Sequence, residues 1–235
     1  MSIYDGGTEV GGPSGLTYGL LLVRLPRGAV LERLAAERFS GWVGPAEDGW
    51  TVAVAEAPLG HVAAHRRRLR QLAEAIADEE GALVASVVVV KDEALQLWAA
   101  RGDAQLIDYV SDPSVGAEEA PLKLDPFGNP VGIADGPVGA HGAPALARAV
   151  DRPDVAEDLQ VLLAEQLGES ENESERLQAL ARLLGWPSWL VAVDSLPRRI
   201  PGGPDASAFA RLRAGRTGIG GIAAGRAARV VRRRT

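Results

Sequence analysis

The stretch 81–113, GALVASVVVVKDEALQLWAARGDAQLIDYVSDP, carries the strongest structural signal in the chain. Its first part, 83–90, is a short valine-rich apolar run with Gly81 before it and Lys91-Asp92-Glu93 after it. β-Branching, shortness and polar punctuation together predict a buried strand rather than a helix. A second strand is expected over 94–100, where Leu95, Leu97 and Ala99 share one face and Gln96 and Trp98 the other. Gly102-Asp103 suits a two-residue hairpin with glycine at the first central position. A third strand, 105–110, stops before Ser111-Asp112-Pro113. Three strands joined by short turns form an antiparallel meander.

Upstream of the meander, 16–25 is nearly continuous in apolar residues and closes at Pro26, which predicts a strand. Residues 29–39 place Val30, Leu31, Leu34 and Ala35 on one helical stripe. Residues 40–49 are loop or a short edge strand, and 50–56 alternates Trp50, Val52 and Val54 on one face as a half-buried strand. A second helix is predicted over 62–80, with Leu69, Leu72, Ala73, Ile76 and Ala77 as its stripe and Gly81 as its stop. The order strand, helix, strands, helix, meander predicts an α+β fold: a mostly antiparallel sheet with two helices on one face, in ferredoxin-like order.

After residue 113 the character changes. Prolines and glycines crowd 114–142, a loop or linker that marks a soft boundary. A helical region is expected over 143–200. Leu159, Leu162, Leu163 and Leu167 are spaced for one helix from 153 to 167. Ser170-Glu171-Asn172-Glu173 fits a capping box ahead of a second, with Leu177, Leu180, Ala181 and Leu184 as its stripe. Residues 186–193 read equally as a short helix capped by Ser188 or as a strand. The lead-in 1–15 is glycine-rich and expected to be flexible, and 201–235 is a basic, flexible tail.

At 235 residues the chain has room for a real core, filled mainly by Val, Leu and Ala because aromatics are 5%. The absence of cysteine excludes disulfides and cysteine-ligated metals, and agrees with a reducing, cytoplasmic compartment. No apolar run reaches the roughly 18 residues that span a bilayer. The N-terminal MSIYDGGTEVGGPSG has neither the basic start nor the apolar core of a signal peptide. Arginine far outnumbers lysine, which occurs only as Lys91 and Lys123; such codon bias points to a GC-rich bacterial genome. Charge is unevenly placed. Residues 211–235 carry +8 and no acid, which leaves −14 on 1–210 against a whole-chain charge of −6. An acidic body beside a basic segment invites self-association or an anionic partner.

Chemistry-bearing patterns are sparse. His61 and His65 at i and i+4 could share a metal, but the three arginines after His65 would repel a cation, so no metal or cofactor is implied. On the predicted second helix, Arg66 and Arg70 lie one turn apart and Asp78-Glu79-Glu80 close it, a charge order that opposes the helix dipole. The cost, a few tenths of a kcal/mol per exposed charge, is small enough for neutral drift to tolerate, and an anion held by Arg66 and Arg70 would account for the order equally. Asp103, Asp108 and Asp112 match neither a calcium loop nor a glycosidase pair. The letters G-x-G-x-x-A at 218–223 lack the strand that a dinucleotide fingerprint must follow. In the tail, Arg226, Arg229, Arg232, Arg233 and Arg234 could contact phosphates of nucleic acid or an anionic surface.

These features predict a non-catalytic bacterial interaction or regulatory protein that binds a protein partner through its sheet domain. Trp98 and Tyr109, on one face of the meander, and Arg66 and Arg70 are the candidate contacts. Nucleic-acid binding through the tail is the second expectation, and an enzyme with its site at 111–142 the third. The strand-turn-strand over 95–113 resembles, generically, hairpins of bacterial domains that include some toxin-immunity proteins. That resemblance implies an immunity-like use of the hairpin without assigning a role to any residue.

Overall fold

The structure, a computed structural model, describes residues 17–115, 136–167 and 172–217. The chain runs through β1 (Tyr18–Val23), α1 (Arg27–Ala36), β2 (Gly41–Glu47), β3 (Trp50–Ala55) and α2 (Leu69–Glu80). The meander follows as β4 (Leu83–Val90), β5 (Ala94–Arg101) and β6 (Ala104–Val110). Then come α3 (Ala143–Ala149), α4 (Ala156–Ala164), α5 (Glu173–Leu184), a 3₁₀ helix over Ser188–Ser195 and the short strand β7 (Ala210–Leu212). The fold is α+β, built on a seven-stranded antiparallel sheet in the order β6-β5-β4-β1-β3-β2-β7.

The valine run is an inner strand of this sheet, between β5 and β1, and every residue of β4 is buried. Leu83, Ala85, Val87 and Val89 join a core cluster with Leu146 of α3, Leu159 of α4 and Leu177 of α5. Val84, Val88 and Val90 point the other way, into a cluster with Val30 and Leu34 of α1 and Leu72 and Ile76 of α2. A strand covered on both faces has no solvent side to which polar residues could alternate, so it reads as one continuous apolar run. Helices from 143–200 therefore complete one face of the sheet.

β5 pairs with β4 from Leu83↔Arg101 to Val90↔Ala94, and Gly102 takes the left-handed φ of +60° at the first central position of the β5–β6 turn. One detail of β6 departs from simple alternation. The pairing shifts between Ala99↔Ile107 and Ala100↔Gln105, so Leu106 is an extra residue in a β-bulge. The bulge sends Gln105 to the same face as Ala100 and Trp98.

The expected helix over 62–80 begins only at Leu69. His65 and Arg66 adopt positive φ of 54° and 58° inside a separate 3₁₀ turn, Ala64–Arg66. The reason lies in backbone bonding: Ala64 N–H donates to Glu37, Val62 N–H to Arg67, and the Val62 carbonyl accepts from Ser40. The segment satisfies its backbone partly within its own turn and partly against the loop after α1, not in an α-helical ladder. Residues 40–49 form β2 with a bulge between Val43 and Ala46. α5 is capped by Asn172, whose side chain accepts from Glu175 N–H, two residues later than the expected box. Residues 186–193 resolve as helical, with Pro187 and not Ser188 before the first turn. Residues 210–212, assigned to the tail by composition, pair with β2 as β7. Arg211 fixes that strand, lying 4.6 Å over the Trp42 ring and pairing with Glu56. No helix among the described residues is long and apolar enough to cross a membrane.

Candidate functional site

Between α2 and the β5–β6 hairpin runs an open groove of about 620 Å³. α2 buries Leu69, Leu72, Ala73, Ile76 and Ala77 against the sheet, and its next stripe, Gln71, Glu74, Ala75 and Asp78, forms one wall. Gly102, Asp103 and Gln105 of the hairpin form the other wall, and Trp98 and Ala100 the floor. His65 and Arg67 stand at one end. The indole N–H of Trp98 donates to Gln105 Oε1 at 3.2 Å, a contact that depends on the Leu106 bulge. It fixes the ring at the base of the groove with only 6% of the residue exposed.

The charges around the groove divide into spent and unspent ones. Arg70 donates to Glu74 at 3.0 Å and grips Asp108 with both terminal nitrogens at 2.9 Å. Arg67 pairs with Glu37 at 2.5 Å, and Glu37 also takes Arg33 at 2.7 Å. Arg33 bonds Glu79 as well and holds the Glu79 carboxyl below its ordinary value. The acidic end of α2 is thus tied to α1 through Arg33, and its first turn to β6 through Arg70, while Arg67, just ahead of the helix, holds Glu37 at the C-cap of α1. Much of the reversed charge order serves packing between elements. Asp78 and Asp103 are different: both are exposed, both line the groove, and neither has an ion-pair partner among the described residues.

The candidate contact residues do not assemble as one surface. Trp98 lies opposite Asp108 and Tyr109 opposite Leu97, so the two aromatics are on opposite faces of the sheet. Tyr109 is 1% exposed and belongs to the core shared with α5. The expectation that one face presents both is corrected by the register, since neighbouring odd and even positions of paired strands alternate sides. Arg66 is exposed but outside α2, so it shares no helical column with Arg70. His61 and His65 likewise lose their i, i+4 relation, and no group of three or more potential metal ligands occurs among the described residues. Arg226, Arg229, Arg232, Arg233 and Arg234 lie outside the described residues, as does most of 111–142.

A second polar cluster, buried where α5 meets the sheet, was invisible to sequence reasoning. Arg176 and Glu173 are 3% and 2% exposed. Arg176 donates to the Tyr109 phenol oxygen and to the Glu165 carbonyl, the latter at 2.7 Å. Its Nε is 3.3 Å from Glu173 Oε2, close enough for an ion pair but not aligned as a hydrogen bond. Burial raises the Glu173 carboxyl above its ordinary value; a Ser111 hydrogen bond and Arg176 oppose this in part, while Asp92 and Asp112 add to it. Ser174 donates through its hydroxyl to Asp92 Oδ1 at 2.6 Å, and its oxygen stands 2.9 Å from Tyr18 Oη. With the Ser174 proton spent on Asp92, Tyr18 is the donor. The cluster pins α5 to the β4–β5 turn, where Lys91 and Asp92 both hold left-handed φ.

Comparison with known proteins finds no family model, no curated protein and no solved structure that matches the chain.

Proposed function

We propose that this is a non-catalytic bacterial interaction protein of the cytoplasm, whose α2–hairpin groove receives a cationic segment of a protein partner. The observation that carries the reading is the position of Asp78 and Asp103. They come from separate elements, have no ion-pair partner among the described residues, and line one groove over a fixed indole. Two unspent carboxylates raise the local concentration of positive charge and steer its approach. An arginine or lysine side chain entering between them gains charge-assisted hydrogen bonds on both sides. The strand run β4-β1-β3-β2 supports a ferredoxin-like reading of the sheet, with β5 and β6 as additions that build the second wall.

The test is titration of the full chain with nonaarginine peptide, followed by the indole resonance of Trp98. Expected is binding that weakens as salt rises, moves the Trp98 resonance and disappears in the D78N/D103N variant. Equal binding by that variant would overturn the assignment of the groove.

A further inference from the structure

We infer that three linked segments around the C-terminal end of α1 form a second contact surface, which takes the phosphate backbone of a double-stranded nucleic acid. The segments are 37–40 after α1, 61–68 ahead of α2, and 211–217, and hydrogen bonds join them. Ala64 N–H donates to the Glu37 carbonyl at 2.7 Å and Ser40 N–H to the Val62 carbonyl at 3.0 Å. From the other side, Gly215 N–H donates to the Phe39 carbonyl at 2.8 Å and Ala214 N–H to Ser40 Oγ at 2.9 Å. Arg213 and Arg216 close their own turn, each donating its N–H to the other's carbonyl.

Charge is concentrated here against the trend of the chain. The three segments hold seven arginines and one acid, Glu37, in a protein of net charge −6. Part of that charge is spent: Arg67 pairs with Glu37 and Arg211 with Glu56, and Arg68 is engaged as well. The side chains of Arg38, Arg66, Arg213 and Arg216 have no hydrogen-bond or ion-pair partner among the described residues. Arg38, Arg66 and Arg216 are exposed and Arg213 is half-buried. Unpaired like charges on joined turns repel one another, and a bound polyanion relieves that repulsion. Backbone strain gathers at the same place. Arg38, His65, Arg66 and Ala214 hold φ of 56°, 54°, 58° and 50°, half of the eight non-glycine residues with positive φ among the described residues. Left-handed backbone is unfavourable for such side chains, and strain of this kind clusters at ligand clamps, where the surrounding structure enforces it.

The chemistry of the segments selects the occupant. Guanidinium forks match phosphate oxygens in pairs and are weakly hydrated, so they suit phosphodiesters. An acidic protein surface would also need an apolar centre to bury. The exposed large hydrophobics among the described residues are Leu59, Val138 and Val161, none of them within the three segments. Single strands are held by stacking on aromatic rings, and the one aromatic of these segments, Phe39, is fully buried. A duplex read through its backbone, without base contacts, fits what is left. The surface draws on none of the groove's acids.

The experiment measures binding of a mixed-sequence DNA duplex and an RNA duplex by fluorescence anisotropy across a salt series. It compares the full wild-type chain with the full-length variant R38Q/R66Q/R213Q/R216Q. Expected is binding weaker by roughly tenfold or more in the variant at low salt. The slope of log affinity against log salt should shrink by about 3–4, since each phosphate neutralised on a duplex contributes about 0.9. The double variant R66Q/R216Q removes only exposed side chains without partners, so the fold keeps its contacts, and its slope should shrink by about 2. Loss of either duplex supports the surface, and the duplex held more tightly identifies the source of the phosphates. Affinity and slope shared by wild type and both variants would overturn the proposal, because the binding would then come from other arginines. A wild-type chain that binds neither duplex at low salt would overturn it as well. Polyglutamate bound more tightly than duplex, and lost in the same variants, would assign the surface to an acidic protein segment and overturn the nucleic acid.

Discussion

The guanidinium of Arg176 donates to the phenol oxygen of Tyr109, joining α5 to the sheet from inside the core. Its side chain is 1% exposed and its ionic partner Glu173 3%. Removing one member of such a pair leaves the other as an uncompensated buried charge, which typically costs about 3–5 kcal/mol. Arg176→Met should therefore lower the urea midpoint strongly with little change in slope. The double variant R176M/E173M should recover part of that loss, because it leaves no orphan charge. A double variant less stable than R176M alone would show that the pair is not the source of the effect.

Glu173 adds a pH signature of definite sign. Its folded-state carboxyl sits above the ordinary value of 4.5, chiefly through burial. A raised acid contributes stability that is fully present below 4.5 and lost as pH climbs through the folded value. Glu173→Gln has no proton to lose. The stability of wild type relative to E173Q should then fall steadily from pH 4 towards neutrality in parallel thermal melts. A difference that stays constant over that range would contradict a raised carboxyl.

Tyr18 and Tyr109 are both pushed up to about 12, in each case first by burial. The sequence holds three tyrosines. Spectrophotometric titration near 295 nm should thus show two of them ionising late. In the unfolded chain the same phenols ionise near 10, so each contributes stability below that pH that is lost between 10 and 12, roughly 2–3 kcal/mol at most. Alkaline unfolding should be steep in that window and shallower in Tyr18→Phe, which has no proton to lose there. Three phenols titrating together near 10 in the native protein would rule this out.

How far the sequence alone reaches follows from which signals are local. The valine run, the glycine turn at Gly102 and the stripe of α2 are written within a few residues, and all three appear as read. The faces of Trp98 and Tyr109 are not local. Each strand alternates, but which residue of β6 stands opposite which of β5 depends on register and on the Leu106 bulge. The start of α2 is not local either, because 62–67 bonds to the loop after α1, a contact of long sequence separation. The groove left a partial trace: Gln71, Glu74, Ala75 and Asp78 form a stripe beside the apolar one, and Asp103 falls at the hairpin tip. Nothing in the sequence places that tip across from that stripe. β7 was hidden by its arginines, since composition assigns basic segments to solvent while Arg211 packs over Trp42.

Gly215 tests how residues 210–217 are held. Its φ is +77°, and a Cβ there would lie 2.2 Å from the Ala35 carbonyl oxygen. Gly215→Ala must both strain the backbone and push the turn off α1, at a cost of about 1–3 kcal/mol. The loss should be local. Hydrogen exchange should accelerate at Gly215 and through β7, while β4 keeps its protection. Unchanged exchange in β7 would mean that the turn is not what docks it.

Arg70 separates stability from binding most sharply. It grips Asp108 and Glu74 from a position 48% exposed. Exposed pairs of this kind contribute about 0–1 kcal/mol, so Arg70→Gln should leave the urea midpoint nearly unchanged. The same substitution releases the Glu74 carboxylate to the groove and removes a positive charge beside it. A cationic peptide should then bind Arg70→Gln several-fold more tightly than wild type at low salt, with the gain shrinking as ionic strength rises because exposed charges are screened. Weaker binding would mean that Arg70 is itself a contact and that the groove draws on anionic groups of its ligand, reversing the charge assigned to the partner.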